Sequence, residues 1–238
     1  MSRAGIFSKV KSALQARDGD GRRAVADARV AAPPSHPRPQ RASVSSAEAR
    51  AAFIRHLEAV SAVFAPVAVP DDVPAAIAAF ITANYRGEPV TLGRDPWLAA
   101  LPWSRAPELQ RFEWKPGVPP RIAVSRAVAA IAETGTLVLA SGPDNPASLN
   151  YLPEAHIVVV EASTLKASME AGLASARQNQ NSGAQNLGPQ NLGPQNLGHM
   201  TMPRTLALVS GASRTADVGG KLVAGAHGPK KLLVILVG

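Results

Sequence analysis

Cysteine is absent from this 238-residue chain, which excludes a disulfide framework, a cysteine-based zinc site, a thiol nucleophile and an iron-sulfur cluster held by its own thiolates. Any electrons moved in its chemistry are therefore carried by another molecule. Aromatic residues make up only 4% of the sequence, too few to build a stacking platform for nucleic-acid bases. No apolar run approaches the roughly 20 residues that span a bilayer, and the opening stretch MSRAGIFSK has no apolar block of the signal-peptide kind. A soluble, cytoplasmic protein without a membrane partner is expected. The phosphate-binding patterns GxxxxGK[ST] and GxGxxG are missing, and the five histidines form no HxxxH or HxH pair, so no metal is expected. What is present is 46% apolar residues over a length that suits one domain with a substantial core.

The formal net charge is +8. It is concentrated at one end. Residues 1 to 45 hold Arg3, Lys9, Lys11, Arg17, Arg22, Arg23, Arg29, Arg38 and Arg41 against Asp18, Asp20 and Asp27, a balance of +6 that leaves only +2 for the rest. A near-neutral body lacks the basic face needed to follow a phosphate backbone. Nucleic acid is thus not the expected partner, and the basic N-terminal arm is expected to be a solvated tail.

Ile6, Val10 and Leu14 recur at helical spacing beside Lys and Arg, predicting a short amphipathic helix over residues 2 to 16. The turn signal DGDG at 18 to 21 and the proline-rich AAPPSHPRP at 31 to 39 predict an extended linker. Ser45 and Glu48 have capping-box spacing, and Phe53, Leu57, Val60 and Phe64 follow on one face. The sequence thus divides into an arm and linker at 1 to 44 and a folded body at 45 to 238. Strands are predicted at 66 to 69, 89 to 92, 121 to 124, 135 to 140, 156 to 160, 205 to 210 and 232 to 237. Helices are predicted at 45 to 63, 72 to 84, 125 to 132, 162 to 176 and 215 to 224. Several of the strands are unbroken Val/Ile/Leu runs, as a sheet covered on both faces requires. The expected class is α/β, a mostly parallel sheet flanked by helices. A unit QNLGP or QNLGH, repeated three times between 185 and 199, is too short and polar to bury a face, so residues 178 to 200 are expected to form a disordered loop.

Two stretches carry candidate chemistry. Glu133, Thr134 and Thr136 lie on a turn around Gly135 that leads into a buried strand. A carboxylate there can serve as nucleophile, general base or acceptor for a ligand hydroxyl; equally, Glu133 can be solvated while the threonines satisfy turn backbone. The second stretch, LALVSGASRTAD at 206 to 217, reads as a strand, a small-residue turn and a helix start. Ser210, Ser213 and Thr215 offer hydroxyls and Arg214 a planar cation for a carboxylate or phosphate, which describes an anion-binding loop. The alternative is that Thr215 caps the helix, Asp217 complements its dipole and Arg214 pairs with a neighbouring acid. His227 and His156, each near a strand boundary, can be a base, a ligand or a structural residue. Because turns leaving parallel strands gather on one side, Glu133, Ser213, Arg214, Thr215, Asp217 and His227 are expected at one edge of the sheet. Glu133 precedes its strand and reaches that edge only if the strand runs antiparallel or a preceding helix ends there.

The pieces IAETGTLVLASGP (131 to 143), LPEAHIVVV (152 to 160), MPRTLALVSGASRTADV (202 to 218) and GAHGPKKLLVIL (225 to 236) resemble, in this order, the lactate utilization protein C family, built on the LUD domain. The resemblance implies a fold similar to the sugar-phosphate isomerase and CoA-transferase-like superfamily. It also implies a part in oxidising L-lactate to pyruvate beside cysteine-rich partners that carry iron-sulfur clusters, with no cofactor held by this chain. Where the family reads GPSRTADIE, this chain has Ala212 for the proline and Gly219 for the glutamate. The first loosens the turn, and a glycine there costs a helix about 1 kcal/mol relative to alanine. Related CoA-transferase-like folds use a glutamate near a similar glycine turn, which by analogy marks Glu133. The leading expectation is an accessory or ligand-binding subunit of a lactate-oxidising assembly. The alternatives are a stand-alone enzyme on a small anionic or acyl substrate, with Glu133 as nucleophile or base and Arg214 as anion clamp, and, last, nucleic-acid binding through the arm.

Overall fold

The computed structural model describes residues 3–15, 19–32, 39–183, 203–215 and 223–238. The chain forms two compact units, Met1–Arg38 and Pro39–Gly238. The first holds helices α1 (Arg3–Gln15) and α2 (Gly19–Ala31). The second helix replaces part of the expected turn and linker, because its Ala- and Arg-rich sequence GDGRRAVADARVA favours helix strongly enough to run over the glycine signal.

The larger unit is built on a six-stranded sheet with order β1-β12-β7-β4-β2-β3. Its strands are β1 (Val63–Val67), β2 (Val90–Leu92), β3 (Arg111–Glu113), β4 (Ile122–Arg126), β7 (Ala155–Glu161) and β12 (Lys231–Val237). Every neighbouring pair in it is parallel. A second sheet has the order β8-β5-β6-β9, from β5 (Ala129–Ile131), β6 (Thr136–Ala140), β8 (Leu165–Lys166) and β9 (Leu206–Val209). In it β6 runs antiparallel to both β5 and β9. The fold is the expected α/β class, a mostly parallel sheet flanked by helices.

Side-chain alternation along the central strands divides the core into two layers. Val124, Ile157, Val159, Leu233 and Ile235 point to one face, where Ile77 and Ile81 of α4 (Val73–Tyr85) cover them. Val158, Val160, Val234 and Leu236 point to the other, packed against the second sheet and α3 (Ser46–Ala59). In α3 the Ser45–Glu48 capping box forms as its spacing predicts. Phe53 and Leu57 are fully buried, each contributing about 1.5–3 kcal/mol of apolar burial. Two short helices, α5 (Pro96–Ala99) and α6 (Ser148–Tyr151), fill connections, and α7 (Met169–Gly183) packs on β5.

One predicted helix is absent, and a second is strand at its described ends, its interior lying outside the described residues. Residues 125 to 132 are the end of β4 and all of β5, since an alanine-rich run that is small enough to be buried between β6 and β8 gains more from sheet pairing than from its helix propensity. The ends of the predicted helix at 215 to 224 instead form a ladder, β10 (Arg214–Thr215) against β11 (Val223–Ala224). Helix α7 also starts later than predicted and runs on to Gly183, through part of the stretch read as a loop. The QNLGP repeats lie outside the described residues.

Candidate functional site

Glu133 follows β5, where its N–H donates to Ala167 O at 3.1 Å and continues the bonding between β5 and β8. Its side chain is only 7% exposed, and its oxygens are taken: Oε1 pairs with Arg41 Nη2 at 2.9 Å, and Oε2 accepts the N–H of Met169 at 3.2 Å. Met169 is the first residue of α7, so the carboxylate binds a backbone donor that a helix start leaves unpaired. The Ser168 hydroxyl accepts a further one from Ala171 at 3.2 Å. Two residues on, Gly135 has φ +64, and a β-carbon there would lie 2.4 Å from His56 Cβ, so only glycine fits the turn. On either side of it, Thr134 and Thr136 form a hydroxyl chain with Ser210, both Oγ–Oγ distances being 2.6 Å. The β6–β9 pairing makes this chain, because Leu137 opposite Val209 sets Thr136 opposite Ser210.

The second candidate stretch is organised by Ser213. Its N–H donates to Pro229 O at 2.8 Å, its carbonyl accepts from Gly225 N at 2.9 Å, and its hydroxyl accepts from His227 N at 3.3 Å. Ser213 and His227 therefore come together, through the Ser213 hydroxyl and the His227 backbone. Since β9 belongs to the antiparallel part of the second sheet, the loop after it leads to residues just before β12, at the amino end of the parallel sheet. Arg214 is exposed, pairs in register with Ala224, and has no ion-pair partner among the described residues. Thr215 faces Val223 in the same ladder, and Asp217 lies outside the described residues. No hydrogen bond among the described residues links Glu133 to Ser213, Arg214 or His227.

A surface cavity of about 490 Å³ opens here, between residues 151–154 on one wall and 225–228 with Lys230 on the other. The walls lead into β7 and β12, and Glu154 O ties them by accepting from Lys230 N at 2.8 Å and Lys231 N at 3.2 Å. Its polar lining is His227, Lys230 and Glu154, with Tyr151 beside them. Glu154 is engaged by Arg121 at 3.3 Å, whereas Lys230 has no ion pair among the described residues, so the uncompensated charge facing the cavity is positive. An arrangement of this kind suits a small anion.

Two further polar groups were not read from the sequence. At the carboxyl ends of β2, β4 and β7, Arg126 bonds Asp95 Oδ2 at 3.1 Å and Glu161 Oε2 at 3.4 Å and lies 5.8 Å from the Trp97 ring centre. Asp95 also accepts the N–H groups of Trp97 and Leu98, so DP at 95 and 96 was the available signal for a helix start. In the sheet interior, Ser125 Oγ donates to Asn150 Oδ1 at 3.4 Å and can accept from His156 Nε2 at 3.0 Å. His156 Nδ1 is buried with no hydrogen-bond partner, and burial holds the imidazole pKa down at about 3. Of its open readings, this places His156 as a structural, neutral residue.

Residues 121–237, which contain Glu133, Ser213, His227 and the cavity, match the LUD domain. The chain is 29% identical to lactate utilization protein C of Deinococcus radiodurans over 229 residues, 91% of each chain. It is 33% identical over 107 residues to lactate utilization protein C of Bacillus subtilis, covering 45% of this chain and 38% of that relative. The chain thus spans about two fifths of the length of several relatives it matches, the Bacillus protein among them. Its fold is similar to the crystal structure of a DUF162 family protein from Deinococcus radiodurans, with TM-score 0.55 and 22% identity over 82% of this chain and 99% of that one.

Proposed function

This chain carries a LUD domain over residues 121–237, and from that premise we propose that it serves L-lactate utilization as a component without redox centres of its own. The observation that carries this reading is likeness over 91% of both chains to a relative named lactate utilization protein C. Oxidising L-lactate to pyruvate removes an electron pair and the accompanying protons. A chain with no cysteine offers no thiolate to a cluster that would accept those electrons. The electrons then pass to cysteine-rich iron-sulfur partners, and this chain contributes binding or assembly.

The cavity beside His227 and Lys230 is the place at which a small anion such as a carboxylate would bind. Its support is the uncompensated lysine. Arg214, exposed on the same loop system, adds a second cation near Ser213. The reading as a stand-alone enzyme with Glu133 as nucleophile or base has less support, because both carboxylate oxygens are bonded to Arg41 and α7. Growth of a deletion strain tests the proposal. Growth on L-lactate should be lost while growth on pyruvate is kept, and a plasmid copy of the full chain should restore it. A deletion strain that grows on L-lactate like its parent would overturn the proposal.

A further inference from the structure

Helix α1 carries an exposed apolar stripe edged by cationic side chains. At 100° per residue, Ile6, Val10, Leu14 and Phe7 fall within an arc of about 100°. All four are strongly exposed, from 49% at Val10 to 62% at Leu14. Lys9 and Lys11 fall on opposite margins of that arc, while Ser8 and Ser12 lie on the far side. The helix contains no acidic residue, and the Arg3 guanidinium lies 5.7 Å from the Phe7 ring centre at its amino end.

We propose that α1 lies in the plane of an anionic lipid surface, with its Ile6–Phe7–Val10–Leu14 stripe among the acyl chains and its lysines at the headgroups. Charge complementarity selects this occupant: cationic margins on both sides of an apolar stripe match a flat layer whose charge lies at one level on either side of the helix. The expectation of no membrane partner rested on the lack of a spanning segment, and among the described residues no helix is long and apolar enough to cross a membrane. An in-plane helix needs only one apolar face.

Sedimentation of the full chain with vesicles tests this. The chain should pellet with phosphatidylcholine–phosphatidylglycerol vesicles and stay in solution with phosphatidylcholine alone. The bound fraction should fall about tenfold between ~0.1 M and ~0.5 M NaCl, as screened attraction requires. Val10→Asp should abolish binding, and so should Lys9→Glu combined with Lys11→Glu. Val10→Leu should retain binding, which separates loss of the stripe from loss of the helix. The proposal is overturned if the chain ignores phosphatidylglycerol vesicles, if Val10→Asp still binds them, or if α1 is needed only for pelleting with a purified lactate-utilization partner protein.

Discussion

A neutral imidazole sealed at His156 makes stability depend on pH. An unfolded histidine titrates near 6.5, while burial holds the folded group at about 3. Above the higher value both states are neutral and nothing is lost. As pH falls below it, the unfolded chain takes up a proton that the folded state refuses, so stability declines by at most about 1.4 kcal/mol per pH unit until the lower value is reached. Denaturant titrations near pH 7 and pH 5 should show this decline, and His156→Gln should make it shallower by about that slope. Equal slopes in both proteins would show that His156 is not the group responsible. The sequence showed a histidine at a strand start but could not show its burial. That depends on Ser125 arriving on the neighbouring strand and Asn150 on α6, contacts that join positions 25 and 31 residues apart.

Among the elements, the long apolar strands were legible because full burial imposes a simple composition on them: β6, β7, β9 and β12 lie within a residue or two of their predicted spans. Most of the short ones were not, β2 being the exception at its predicted span. Residues 129 to 131 read as helix because alanine is the best helix former, and only the presence of β6 and β8 on either side decides otherwise. The same limit applies to Glu133: its turn was legible from Gly135, whereas its partners Arg41 and Met169 are brought to it by tertiary packing. The carboxylate joins the β5–β6 turn to the start of α7. Glu133→Ala should therefore destabilise the protein by about 1–3 kcal/mol, the cost of leaving a helix-start donor and a buried pocket unfilled. His227→Ala, at an exposed position, should stay within about 0.5 kcal/mol of the parent. Urea denaturation of both variants checks this, and a Glu133→Ala protein as stable as the parent would remove the structural role given to that carboxylate.

For the whole molecule, composition was more informative than any single motif. The missing cysteines exclude a thiolate-held cluster on this chain, and the clustering of positive charge before residue 46 separates a basic arm from a near-neutral body. The candidate site was only partly legible at this scale. Ser213 and His227 meet, yet at the amino end of the parallel sheet, because the strand that delivers Ser213 belongs to the second sheet. The most direct test of the central claim is L-lactate-dependent reduction of an artificial electron acceptor by extracts of the deletion strain. Adding the purified chain should restore the lost activity, while the purified chain with L-lactate and acceptor alone should reduce nothing. Acceptor reduction by the isolated chain, or extracts of the deletion strain as active as those of the parent, would contradict the account.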